Sequence, residues 1–521
     1  MSSFGLLSLI TFSPLLGILL LLIVPKDRVG TIKMIGILVT LIPLVLAIGL
    51  FIGFDRADSG VQFLENIPWI HINIGASVLE FNYSMGVDGL SMPLVVLATI
   101  VALMSAIAAA NMISKRWKEY FTIFFLMQIG LYGVFMAQNL FLFFIYFEIS
   151  LVTMFFLVGI WGQDKRENAA FTFLLYNGLG SAIMLIAFIA LMLNAGYVSG
   201  TQTPTFTTDI PTIIYNLTDP TSPYFEMAKQ TGNVAFSDWF RYGVFFALLV
   251  AFGIKLPVFP LHSWILKVHY QAPPAMSMIL SGVLLKIGAY GLFRMEYSFF
   301  PDLIGKYSTF LAILGIINLF YGAIIAFVQD DYKMVVVYSS ISHMGIILMG
   351  LAAMNTFGFQ GAVFQIVSHG FISASMFYLV GVIYSRVHTA KMDELGGLAK
   401  TMPFTSGILL TATLASLGLP GMSGFVSEFL TFLGLFGEKP VIAAFGTIGI
   451  VLTSAYLLRA TLKVTYGPTA EKLVGLTDAR SLEVIPMVVL IGLIILIGVY
   501  PAILSEPLQT TLQSLLTRIG G

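Results

Sequence analysis

The chain has 521 residues, of which 58% are apolar and 10% charged, and its 26 basic residues balance 26 acidic ones. A soluble domain carries about 25% charged residues, so this composition, with a mean hydropathy of +0.94, belongs in lipid and offers no charge excess to nucleic acid. With no cysteine, disulfides, thiolate chemistry and cysteine-held iron–sulfur or zinc centres are excluded.

Crossing the hydrocarbon takes about 20 apolar residues per helix. The sequence predicts about 14 such spans, near 4–24, 32–54, 90–112, 120–138, 140–162, 169–195, 241–264, 274–297, 303–328, 332–354, 358–384, 405–436, 441–466 and 485–507. The expected fold is therefore an all-α polytopic membrane protein. The first stretch lacks a basic leader and a small-residue cleavage pattern, so it is expected to be retained as a span. Residues 55–88 alternate polar and apolar (Val61-Gln62-Phe63-Leu64, Val78-Leu79-Glu80-Phe81), which predicts a small external β-hairpin. Residues 196–240 are rich in Thr, Pro, Asn and Asp and predict an external loop with a short helix.

Loops after odd-numbered spans hold 17 basic residues, among them Lys26, Arg116, Lys165, Lys333, Arg386 and Lys472. Loops after even-numbered spans and the C-terminal tail hold 7: Arg56, Lys229, Arg241, Arg294, Lys306, Lys439 and Arg518. Positive residues favour the cytoplasmic side, so the even loops and both termini are expected outside, in a cell membrane. The two remaining basic residues, Lys255 and Lys286, fall inside predicted spans.

A charge at mid-bilayer costs about 2.5–3.5 kcal/mol on insertion scales. Four ionisable residues nevertheless sit well inside spans: Glu148, Lys255, Lys286 and Glu428, joined by His343 and His369. Structural ion pairs holding helices together are one explanation. A proton path is the other, and it alone calls for a series of titratable stations in different spans. Gln365, His369 and Ser373 at i, i+4 and i+8 form one polar stripe, fitting either a water chain or helix-packing contacts. His343 and His369 could ligate a haem, but the stripe suits water better. His262 and His269 flank a loop and read as interface residues. No zinc-protease spacing, phosphate loop or dinucleotide fingerprint occurs.

Two spans are interrupted beside these charges. Gly253-Ile254-Lys255-Leu256-Pro257-Val258-Phe259-Pro260 breaks the seventh, and Gly418-Leu419-Pro420-Gly421-Met422-Ser423-Gly424 breaks the twelfth before Glu428. Proline removes a backbone donor, and in lipid the freed groups need protein or water. A plain kink is the alternative, but paired interruptions in two halves point to a transport site. Spans four to eight and nine to thirteen would then be two five-helix repeats, each with its fourth helix broken. Five is odd, so the second copy must be inverted. The expected division is 1–112 (three spans and the external hairpin), 113–300 and 301–468 (the two repeats, each a proton half-channel) and 469–521 (a last span and tail).

The two interrupted runs, extended through Leu261-His262-Ser263-Trp264 and Phe425, together with Tyr338-Ser339-Ser340-Ile341-Ser342-His343-Met344-Gly345, resemble the antiporter-like proton-pumping subunits of respiratory complex I. The resemblance covers essentially the whole chain. These subunits are also similar to the large Mrp-type Na⁺/H⁺ antiporter subunits and to membrane subunits of energy-converting hydrogenases. The closest branch is the one with glutamate, here Glu428, in the twelfth span, where sister subunits usually place lysine; it also stops soon after the fourteenth span. Leu266-Lys267-Val268-His269 departs from the Pro-Asp-Ala-His common in relatives. The resemblance implies that Lys255 holds the proton and Glu148 is its ion-pair partner. Lys286, His343 and His369 would be lateral relays and Glu428 the terminal station. It implies no cofactor in this chain. Partner subunits would carry FMN, iron–sulfur clusters and quinone, and the neighbours would be sister antiporter-like subunits, quinone-site subunits and membrane lipid, with no nucleic acid. A secondary Na⁺/H⁺ antiporter and a passive structural segment are the competing readings.

Overall fold

The computed structural model describes residues 5–201, 203–225, 232–470 and 473–520; Lys229 and Lys472 of the charge count lie outside them. Twelve helices among the described residues are long and apolar enough to cross a membrane. The first are α1 (Leu6–Ile23), α2 (Val29–Gly53), α3 (Ser91–Met112), α4 (Trp117–Met136), α5 (Leu140–Trp161) and α6 (Arg166–Ala195). The short α7 (Ile210–Thr218) lies in the predicted external loop, started by the Asp209 side chain. The seventh predicted span is two helices, α8 (Asp238–Lys255) and α9 (Ser263–Gln271). There follow α10 (Pro274–Phe299), α11 (Pro301–Phe327), α12 (Tyr332–Ala352) and α13 (Thr356–Val387). The twelfth predicted span is again two helices, α14 (Pro403–Ser416) and α15 (Ser423–Glu438). The chain then runs through α16 (Pro440–Thr465), α17 (Ser481–Val499) and α18 (Ala502–Gly520). A count of 14 spans thus requires each broken pair to be taken as one crossing.

The hairpin forms as β1 (Gln62–Ile74) and β2 (Ser77–Val87), antiparallel with Ile74 opposite Ser77. Its two-residue turn uses Gly75 at φ +60°, a conformation such tight turns demand. Two further strands, β3 (Tyr197–Val198) and β4 (Thr205–Thr207), complete a sheet in the order β1-β2-β4-β3, with β2 and β4 parallel. The pattern in 196–240 did not reveal them, because strands this short carry little periodicity.

Segments near both chain ends contact the hairpin or the residues that flank it. Glu65 of β1 accepts from the backbone amides of Leu7 (2.8 Å) and Ser8 at the start of α1, a carboxylate placed at a positive helix end. Near the other terminus, Thr511 accepts from Gly89 N (3.1 Å), and Arg56 pairs with Glu506. On the opposite face Lys333 donates to the carbonyls of Tyr270 and Ala272 at the end of α9. Lys333 was expected in a loop; it is buried in the first turn of α12, where those helix-end carbonyls need a donor. Arg294, also expected in a loop, lies inside α10 because α10 reaches Phe299. There it forms a bidentate pair with Asp88, at 2.7 and 2.8 Å.

The two interrupted regions share a packing scheme. α6 packs on both α8 and α9, and α13 packs on both α14 and α15.

Candidate proton-conducting site

The breaks are held by protein groups, as lipid requires. At the first, Asn318 of α11 accepts from Phe259 N (2.6 Å) and donates to the Pro257 carbonyl (3.2 Å). Trp264 Nε1 donates to the Ile254 carbonyl (2.9 Å), tying α9 to the end of α8. At the second break, Gly418 and Gly421 adopt φ +77° and +90°, open to glycine without steric cost. Gly418 also gives room to Glu428, whose carboxylate a Cβ there would strike. Ser423 at the start of α15 shares a hydrogen bond with Ser368 of α13 (2.7 Å).

Four of the six expected residues meet in one run. Lys286 of α10 is fully buried, and its Nζ is 2.7 Å from His369 Nδ1 on α13. The rings of His369 and His343 (α12) have centroids 5.2 Å apart. His343 Nε2 lies 3.8 Å from a Glu428 carboxylate oxygen and 2.9 Å from the Ser416 carbonyl. Its Nδ1 faces the Ser339 carbonyl at 2.7 Å. Carbonyls only accept, so the doubly protonated ring satisfies both contacts and the neutral ring satisfies one.

Glu148 and Lys255 form a different arrangement. Lys255, the last residue of α8, is buried, and its Nζ has no hydrogen-bond partner among the described residues. It sits 4.1 Å from the centre of the Phe147 ring and 5.7 Å from that of Phe173. Glu148 is half-buried, with one carboxylate oxygen buried and unpartnered. No ion pair within 4.0 Å joins the two among the described residues, although the Glu148 charge acts on Lys255. The expected contact pair is instead a pair at a distance, with an aromatic ring beside the ammonium. Gly288 of α10, two residues from Lys286, has no Cβ and so lets α10 approach the α8 backbone next to Lys255. A Cβ there would stand 2.7 Å from Leu256 N and 2.8 Å from the Phe252 carbonyl.

Of the polar stripe on α13, Gln365 is engaged by Ser427 of α15 and Ser373 bonds its own helix at Gly370; both serve packing, and His369 alone joins the run. His262 bonds Tyr321 (3.0 Å) and stacks on Phe259, while His269 stacks on Phe377. Asp88, outside the spans, was not anticipated. Burial alone would raise its carboxyl, but the Arg294 guanidinium and the Ser91 amide and hydroxyl outweigh burial and hold it below the ordinary carboxylate value. Asn318, a lone amide in an apolar span, was a signal open to a reader of the sequence.

Residues 137–453 match the family model for NADH:quinone oxidoreductase/Mrp antiporter membrane regions, and residues 31–138 match that for the amino terminus of NADH-ubiquinone oxidoreductase chain 4. The chain belongs to the NADH:quinone oxidoreductase/Mrp antiporter family. Within that family it is 37% identical to NADH-quinone oxidoreductase subunit M of Rhodobacter capsulatus, over 96% of this chain and 94% of the relative. It is 38% identical to NAD(P)H-quinone oxidoreductase chain 4 1 of a Picosynechococcus species, over 94% and 87%. Its fold superposes on a chain of respiratory complex I from Thermus thermophilus with TM-score 0.84, at 25% identity over 99% of this chain and 100% of that one. A chain of the Mrp complex from a Dietzia species shares the fold, with TM-score 0.79 at 18% identity, over 99% and 100%.

Proposed function

We propose that this chain is a proton-translocating membrane subunit of a complex I-type NADH-quinone oxidoreductase, of the subunit M kind. The observation that carries the reading is the contact run Lys286–His369–His343–Glu428, which crosses from α10 through α13 and α12 to α15. A series of neighbouring groups that can each hold a proton is what a relay needs, and a purely structural ion pair does not need four members.

In this reading Lys255 is the loading group and Glu148 its switch. A carboxylate near an ammonium favours the proton on the lysine, and moving or neutralising that carboxylate releases it. The proton passes through water to Lys286, then to His369, His343 and Glu428. The helices flanking the two breaks form the half-channels of two inverted repeats, 113–300 and 301–468, a reading supported by the matching way α6 and α13 clasp their broken partners. The hairpin face is the outer side of a cell membrane, and both termini lie on it. Driving one proton against about 150 mV costs about 3.5 kcal/mol. That energy would come from electron transfer in partner subunits holding FMN, iron–sulfur clusters and quinone.

The test uses the intact complex in sealed vesicles. Lys255→Ala and Glu148→Gln are each expected to abolish this subunit's share of pumping while the chain remains inserted. Near-normal proton-to-electron ratios in either variant would refute the assignment. Co-purification with iron–sulfur and quinone-binding subunits separates this reading from a stand-alone Na⁺/H⁺ antiporter.

A further inference from the structure

Among the described residues, and apart from half-buried Glu148, the buried acids are with one exception provided for. Glu65 accepts from the start of α1, Asp88 pairs with Arg294, Glu483 pairs with Arg386 (2.6 Å), and Glu428 lies beside His343. Glu296 is the exception. It is wholly buried in α10, and neither carboxylate oxygen has a hydrogen-bond partner among the described residues. The hydroxyl of the next residue, Tyr297, is also buried and unpartnered. The Tyr297 ring is walled in by Phe293 and Phe359, at centroid distances of 5.9 and 5.3 Å. An acid kept for structure would be paired like the others.

Its place on the helix is as telling. α10 contains two π turns, Leu280–Leu284 and Leu292–Glu296. Lys286 follows the first and Glu296 closes the second, so the helix widens beside each of its two unusual titratable groups. Such widened turns recur at functional sites. At about 1.5 Å per residue, Glu296 stands about 15 Å from Lys286 along the axis, half of a hydrocarbon core of about 30 Å. Two residues further, Ser298 lines an open cavity of about 460 Å³ on the hairpin face, together with Asp88, Arg294, Gln138 and Thr511. Glu296 is therefore the last carboxylate of α10 before the water of that face. An ionised carboxylate without donors is too costly there to persist.

We infer that Glu296 is a further proton station, an outlet on α10 additional to the run that ends at Glu428. The Lys286 ammonium gives its proton through intervening water to the Glu296 carboxylate, leaving an amine and a carboxylic acid. The acid then passes the proton to water in the cavity beside Ser298. The inference rests on the proton-carrying reading proposed above.

The experiment measures protons pumped per electron by the reconstituted complex carrying Glu296→Gln, Glu296→Asp or, as reference, Lys255→Ala. Glutamine keeps the size of the side chain and removes the acid; aspartate keeps the acid. The expected result is a lowered ratio in Glu296→Gln, largely restored in Glu296→Asp. The Glu296→Gln variant is also expected to lose a carboxylic C=O band from infrared difference spectra taken during turnover. An unchanged ratio in Glu296→Gln, an equal loss in both variants, or failure of the glutamine variant to assemble would overturn the inference. If Lys255→Ala also pumps normally, the parent reading fails; if only Glu296→Gln does, the outlet alone fails.

Discussion

The two ends of the buried charge series are built on opposite plans. From Lys286 to Glu428 each group lies beside the next, at 2.7 Å between Lys286 and His369 and 3.8 Å between His343 and Glu428. Around Lys255 the ammonium faces two aromatic rings and has no hydrogen-bond partner among the described residues, and its acidic partner stands off. In the proposed reading the first arrangement conducts whenever a proton is supplied. The second holds a charge whose stability depends on something that can move. A pump needs both, because a path in continuous contact would leak and a series of isolated charges would stall. In that reading control falls to the Glu148–Lys255 side and conduction to the other.

The comparison can be broken in several places. The largest effect is expected from His343→Leu, which removes the ring between His369 and Glu428. Losing a positioned proton carrier slows transfer by about 100-fold, so pumping in vesicles should fall to background. Next comes Glu428. Replacement by alanine should cost most of this subunit's pumping, and replacement by lysine should cost less, because lysine also holds a proton and is the residue of the sister subunits. Equal loss in both would count against a relay role.

A structural effect follows. Asp88→Ala leaves the Arg294 guanidinium buried without its carboxylate, which costs about 3–5 kcal/mol, and should lower the thermal midpoint of the purified complex. The same pair has an acid limit. The folded Asp88 carboxyl is held below its ordinary value, so its stabilising contribution is complete at neutral pH. It is lost only as pH falls below the usual Asp range and through the folded value. The smallest effect is expected at Phe147→Leu, which removes the ring face beside Lys255. A desolvated cation–ring contact contributes about 2 kcal/mol, so the pH dependence of pumping should shift while assembly is unchanged. No shift would mean the ring is only packing.

Much of this arrangement was legible in the sequence, and the reasons are physical. Charges in apolar runs stand out because lipid penalises them, so Glu148, Lys255, Lys286 and Glu428 could be found without any structure. Proline and glycine announced both breaks, and alternation announced the hairpin. Long-range partnership was not legible. Asp88 and Arg294 are 206 positions apart, and nothing local in either stretch names the other. Asn318 and Trp264, which satisfy the first break, are chosen by helix packing. The separation of Glu148 from Lys255 is likewise set by how α5 and α8 are spaced. Glu296 falls in the last residues of the predicted eighth span, where an acid reads as a border residue, and its burial without a partner shows only in the structure.

Lys286 is the junction of the two plans, and its removal tests the account most directly. The measurement is protons translocated per electron by the vesicle-reconstituted complex carrying Lys286→Ala. The account predicts a ratio lowered as far as in Lys255→Ala, since neither the Glu428 run nor any outlet on α10 can then be loaded. A ratio equal to that of the unmodified complex would contradict it.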